Sequence, residues 1–271
     1  MIHRRVSFRL AVLVCLGVIC GSVRTSCAQE PRPVTDVLAA PQFLSRYDFH
    51  LAAAYLGGED HDRFMWDTHW GGNFDFLDYV VGRFGFLVDY QAILGQEYRA
   101  FDPIQSHYTL EFSSSGRVGK NEIAGVFHHV SWHLSDRPKR ISIAVNEAGV
   151  RLLRRFEPGR TSVDLVADGS YAIARAYVDY TWTGHVDIMA RRPLQGRLGL
   201  FGHLAGTLIG TEAAIAGRTD SQKGGRVEGG VRVAGRGGAL ELFAGWEQVI
   251  DADPILRQPR SWPFAGFRFV N

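Results

Sequence analysis

From about residue 45 to the C-terminus the chain alternates apolar and hydrophilic residues at every second position, segment after segment. Beyond residue 30, no apolar run approaches the roughly 18 residues needed for a membrane-spanning helix. Successive strand side chains point to opposite faces, so a wall between lipid and water must repeat with period two. From 64 to 76 the even positions read Phe64, Trp66, Thr68, Trp70, Gly72, Phe74, Phe76, against Asp67, His69, Asn73 and Asp75 on the odd side. Phe84, Phe86, Val88, Tyr90, Ala92 and Leu94 repeat the pattern opposite Gly85, Asp89, Gln91 and Gly95. Ala176, Val178, Tyr180 and Trp182 do so opposite Arg175, Asp179 and Thr181. Any membrane residence therefore uses strands.

A soluble β-sandwich also alternates, and loop lengths separate the two. Strands are expected near 45–56, 64–77, 80–94, 105–115, 121–134, 140–154, 162–182, 185–191, 197–211, 224–235, 239–249 and 261–270. Twelve is an even count, which places both termini on one side. Connections at one end are then long (57–63, 95–104, 212–223, 250–260), and those at the other are short (78–79, 193–196, 236–238). That asymmetry belongs to outer-membrane barrels. The expected fold is an all-β, antiparallel transmembrane barrel of about 12 strands over residues 41–271, preceded by a short periplasmic lead-in over 29–40. Phe267 and Phe269 alternate with Arg268 in the last strand, a pattern the barrel-insertion machinery would read, although the chain closes on Val270-Asn271.

Residues 1–28 carry the parts of a secretory signal: His3, Arg4, Arg5 and Arg9, an apolar stretch from Leu10 to Ile19, then Ser26 and Ala28 before the expected cleavage. Cys15, Cys20 and Cys27 all fall inside it, so the exported chain carries no thiol for a disulfide, metal site or nucleophile. Arg24 stands where a lipidation signal needs an aliphatic residue, which argues against Cys27 as a lipid anchor. The formal charge of +2, with 30 Lys+Arg against 28 Asp+Glu, excludes a polybasic nucleic-acid binder. The expected partner is outer-membrane lipid or lipopolysaccharide, and the expected placement the outer membrane of a Gram-negative bacterium.

One segment departs from plain alternation: Val126-Phe127-His128-His129-Val130-Ser131-Trp132-His133-Leu134. On a strand His129 and Ser131 share a face with Cα atoms roughly 6 to 7 Å apart, close enough for an imidazole to take a hydroxyl proton. A third group must orient the imidazole, and the next strand offers Asn146 and Glu147. With a turn centred near Arg137, odd positions face odd positions and Glu147 lies on the face of His129 and Ser131. A slip of one residue exchanges it for Asn146. Because Ile141, Ile143 and Val145 make the odd side of the second strand apolar, that side is expected to face lipid, taking His129, Ser131 and Glu147 with it. Zinc binding is disfavoured, since His129 and His133 stand about 13 Å apart on a strand and His128 points the other way. No cofactor is implied. The bland alternative is a headgroup-level girdle in which Ser131 only bonds its neighbours, and Asp67, His69, Asp75, Asp89, Glu111, Arg175 and Asp179 line a hydrated or plugged lumen.

The pattern His129-x-Ser131, with a polar or acidic residue on the following strand, resembles the arrangement in outer-membrane phospholipase A and the lipid A deacylases, although Trp132 follows the serine here. That resemblance implies Ser131 as nucleophile, His129 as base, and Asn146 or Glu147 as orienter. The longer run Phe127 to Asp136, with Arg140-Ile141-Ser142 and Asn146-Glu147, is similar to an exported bacterial family known as domain of unknown function 1207, which implies the same placement and no established activity. Two functions are thus expected: a structural or small-pore barrel of unknown client, or a serine-histidine lipid or lipopolysaccharide ester hydrolase.

Overall fold

The computed structural model describes residues 31–33, 38–134, 141–212 and 218–271; the expected signal segment and residues 135–140 after the histidine cluster lie outside them. Twelve antiparallel strands form one closed barrel: β1 (Gln42–Leu56), β2 (Trp66–Asp78), β3 (Arg83–Gly95), β4 (Asp102–Val118), β5 (Asn121–Leu134), β6 (Ile143–Phe156), β7 (Ser162–Ala176), β8 (Tyr180–Pro193), β9 (Leu198–Thr211), β10 (Ser221–Ala234), β11 (Ala239–Asp253) and β12 (Gln258–Val270). Each strand pairs with its sequence neighbours, and β1 closes on β12 from His50 opposite Val270 to Leu56 opposite Phe264. Full closure leaves the sheet without the long open edges that would otherwise invite association.

One end carries tight connections. Three of them turn on left-handed glycines, Gly119, Gly159 and Gly196, at φ of 60 to 67°, a conformation a side chain would strain. That is the turn end; the opposite, loop end carries the longer connections. The alternation of β7 and β8 corrects one expectation. The run 162–182 is not a single strand: it breaks at 177–179, where Tyr177 adopts φ of 66°. Asp168 and Gly169 lie in mid-strand, where Asp168 pairs with His185.

The period-two pattern sorts side chains as anticipated on β2 and β3. Asp67, His69, Asn73, Asp75, Asp89 and Gln91 are buried in the lumen, while Trp70, Phe76 and Phe84 are exposed on the wall. Charges taken out of water must be paired, and here they pair across strands. Arg83 donates to Asp75 (2.8 Å) and to Glu122 (2.6 Å), reaching from β3 to β5. Arg151 on β6 grips Glu111 on β4 at 2.5 and 2.8 Å. Arg268 spans from β12 to Glu228 on β10 at 2.8 Å. Toward the loop end the lumen also holds an apolar cluster, with Phe64, Tyr180, Ile209, Ile250, Trp262 and Phe264 buried together beside polar residues such as Asp67 and Glu247. At the turn end Pro31 and Pro33 are buried. Arg32 between them pairs with Asp48, while its carbonyl accepts from Arg83 at 2.7 Å.

On the outer wall, aromatic side chains pack edge to edge across strands. Near the turn end Phe43, Phe76, Phe84 and Phe112 form a chain of ring contacts at 4.5 to 6.5 Å. Nearer the loop end Trp70, Tyr90, Tyr108 and His133 form another, at 5.0 to 5.6 Å.

Candidate active site on the outer wall

The register of β5 decides what the histidine cluster can do. β5 pairs with β6 so that His129 faces Asn146, His128 faces Glu147 and Ser131 faces Ala144. Odd positions therefore meet even ones, one residue away from the register expected for a turn centred near Arg137. On the other side of β5, Ser131 faces Tyr108 and His129 faces Leu110 of β4. The outward row on β5 thus reads Phe127, His129, Ser131, His133, and on β6 Ala144, Asn146, Ala148, Val150.

Asn146 and His129 meet directly: His129 Nδ1 lies 2.5 Å from Asn146 Oδ1. An amide oxygen only accepts, so Nδ1 carries a proton, and in the neutral ring Nε2 is the nitrogen that can accept one. That is the tautomer a serine nucleophile requires of its base. Ser131 stands two residues along on the same outer face. Among the described residues, however, no hydrogen bond joins Ser131 Oγ to His129. The structure brings His129 and Asn146 into contact and sets Ser131 beside them without a hydrogen bond between Ser131 and His129.

Glu147 is not part of this group. It points into the lumen, 3 % exposed, where it accepts from Thr183 Oγ1 at 2.5 Å. His128 is also inward and 3.3 Å from Glu111. The expectation that the apolar side of β6 faces lipid fails for the same reason. Ile143 and Val145 are 2 % and 3 % exposed and turn inward, toward an end of the lumen that holds a buried apolar cluster among its polar side chains, so an apolar residue there is not confined to the outer wall. His129 and Ser131 are on the outer wall as anticipated, but by a different register.

Two features escaped the sequence reading. β7 carries an extra residue opposite the step from Asn146 to Glu147: Asn146 faces Ala174 and Glu147 faces Ala172, which leaves Ile173 unpaired. Such bulges bend a strand and re-aim its side chains, and here Ile173 and Tyr171 are strongly exposed beside Asn146. A lone apolar residue in an apolar-alternating run gives no warning of a bulge. The second is Tyr108, directly across from Ser131, whose ring meets His133 edge-on at 5.0 Å and 85°. Only the β4–β5 register sets Tyr108 opposite Ser131, and no periodicity within either strand encodes it.

The fold has solved counterparts. Outer membrane phospholipase A from Escherichia coli superposes with a TM-score of 0.52 at 10 % sequence identity, covering 83 % of this chain and 90 % of that one. OmpT of Vibrio cholerae superposes with a TM-score of 0.43 at 8 % identity, over 83 % of this chain and 95 % of that one. No protein-family model matches the chain, and no curated protein sequence does. The likeness to domain of unknown function 1207 accordingly rests on the local residues quoted above. What the comparisons establish is a closed twelve-stranded antiparallel barrel of outer-membrane type.

Proposed function

We propose that this barrel resides in the outer membrane with its loop end outward and hydrolyses acyl esters of membrane lipid at its outer wall. The observation that carries this reading is the His129–Asn146 bond on a lipid-facing surface with Ser131 on the same face. A polar bond of that kind has no structural work to do against hydrocarbon, where an unpaired polar group is costly and an apolar pair would serve better. The match in fold to a protein titled outer membrane phospholipase A supports it.

In the reaction, Ser131 Oγ forms a bond to the ester carbonyl carbon while its proton passes to His129 Nε2. The carbonyl π electrons move to the oxygen and return as the bond to the leaving alkoxide breaks. The alkoxide takes the proton from the imidazolium, and water then repeats the sequence on the acyl-enzyme with His129 as base. Asn146 holds the ring so that Nε2 stays basic. Because β5 is paired on both sides through this region, its ladder amides are committed, and the outward polar groups left to border the carbonyl are Tyr108 and His133.

The test is ester release from phospholipid vesicles by the purified full-length protein, together with covalent labelling by a fluorophosphonate. Wild type is expected to hydrolyse and to be labelled at Ser131, and Ser131→Ala and His129→Ala to do neither. Equal hydrolysis with and without those side chains would overturn the proposal.

A second reading, a structural barrel whose histidines belong to a headgroup girdle, is favoured by the missing Ser131–His129 hydrogen bond and by the ring chain from Trp70 to His133. The small-pore version needs an open channel, whereas the described lumen is crossed by ion pairs and stoppered by aromatic side chains.

A further inference from the structure

The turn end of the barrel carries a feature unrelated to the serine site. Four consecutive turns there, between β4 and β5, β6 and β7, β8 and β9, and β10 and β11, each present one exposed cation: Lys120, Arg160, Arg197 and Arg236. None of the four has an ion-pair partner among the described residues. Glu157 is the single acidic residue in those turns. The arc is not continued by the turn between β2 and β3, which holds no charged residue. Uncompensated like charge along a rim costs self-repulsion, so its persistence turn after turn points to an anionic counterpart.

The apolar side chains beside the cations say what kind of counterpart. Val118 precedes Lys120, Phe156 precedes Arg160, Leu194 and Leu198 flank Arg197, and Val233 precedes Arg236, all of them exposed on the outer wall. Arg154 lies over the Phe156 ring at 4.8 Å, its guanidinium 3.1 Å from Asn121 Oδ1. A soluble polyanion would not require greasy side chains next to each cation. A lipid would, since its acyl chains meet the apolar residue and its headgroup phosphate the cation one to four residues away along the chain, where long basic side chains reach up to the interface.

We propose that Lys120, Arg160, Arg197 and Arg236 form an arc that binds the phosphates of anionic phospholipids in the leaflet adjoining the turn end. The arc collects such lipids around the β4–β11 side of the barrel. This does not depend on the hydrolase reading, only on the barrel standing in a bilayer.

The experiment reconstitutes the full chain in vesicles of equal parts phosphatidylglycerol and phosphatidylcholine, extracts it gently and measures the lipid that co-purifies by native mass spectrometry. Wild type is expected to retain phosphatidylglycerol over phosphatidylcholine by roughly fivefold or more, the preference that about one engaged cation supplies. The preference should vanish in the quadruple variant Lys120→Gln, Arg160→Gln, Arg197→Gln, Arg236→Gln, and shrink at high salt. All four side chains are exposed and outside the strands, so heat-modifiable migration of the variant should match wild type and report an intact barrel. Equal retention of the two lipids by wild type, or an undiminished preference in the folded quadruple variant, overturns the proposal. So does tight, arc-dependent binding of inorganic polyphosphate without any lipid preference, which would make the arc a site for a soluble polyanion.

Discussion

At the scale of single residues, the contact between His129 and Asn146 and the inward turn of Glu147 make opposed predictions for neighbouring positions on one strand. Asn146→Ala removes the acceptor that keeps Nδ1 protonated, and hydrolysis of phospholipid vesicles is expected to fall by roughly 10², the scale of a mispositioned general base. Asn146→Asp keeps an acceptor there and should retain most of the rate. Glu147→Ala, one residue along, should leave hydrolysis within about twofold of wild type. It instead leaves Thr183 without its buried partner, at a cost of about 1 to 3 kcal/mol in stability, read from urea unfolding in vesicles. If Glu147→Ala abolished hydrolysis in a folded barrel while Asn146→Ala did not, the register argument for the site would be wrong.

At the scale of the elements, β6 is positioned by what it can approach. A Cβ on Gly149 would come within 2.3 Å of the Gly169 carbonyl oxygen and 2.7 Å of Ser170 Cα on β7, so glycine is what permits the two strands to coil closely just beyond Asn146. Gly149→Ala should therefore push the strands apart at a cost of about 1 to 3 kcal/mol. Because the displaced ladder lies three residues from Asn146, the kcat for lipid esters should drop more than stability alone explains, which kinetics on the folded fraction would detect. The bulge at Ile173 acts on the same stretch from the other side. Deleting Ile173 makes Ala172 and Ala174 consecutive and keeps both partners, Asn146 opposite Ala174 and Glu147 opposite Ala172, so every side chain of β7 keeps its face and only the local bend is lost. The expected outcome is a barrel that keeps heat-modifiable migration but hydrolyses lipid ester more slowly, because the bend beside Asn146 is gone; loss of the folded form would refute this account.

For the molecule as a whole, stability is lodged in two places, the closed ladder and the lumen. The Arg151–Glu111 pair is fully enclosed, and breaking it by Arg151→Met leaves a buried carboxylate without its cation. That is expected to cost about 3 to 5 kcal/mol, whereas Arg151→Met with Glu111→Leu should recover most of the loss. The same pairs, with the aromatic stopper near the loop end, occupy the path that ions would take. Planar-bilayer recordings of the wild type are expected to show no stable porin-like conductance steps, and steady open-channel steps would return the function to the lumen.

Fold class was legible in the residues because a barrel wall has only two faces and a strand has only two sides. Once Asp67, His69, Asp75 and Asp89 alternated with Trp66, Trp70, Phe74 and Phe86, the wet and greasy faces followed locally, with no knowledge of which strand came next. The candidates His129, Ser131 and Asn146 were legible for the same reason, as residue types at strand spacing. What local pattern could not decide was register, since a shift of a single residue preserves every periodicity within a strand while exchanging Asn146 for Glu147 across the gap. That choice required the paired backbone of β5 and β6, and it went against the polarity of Ile143 and Val145 because the loop end of the lumen buries apolar side chains as well as polar ones. The break at Tyr177 and the bulge at Ile173 belong to the same class, being set by how neighbouring strands must stagger to close a cylinder. The amino-acid order determined what each face of the wall is made of; only closure of the barrel decided which side chains meet.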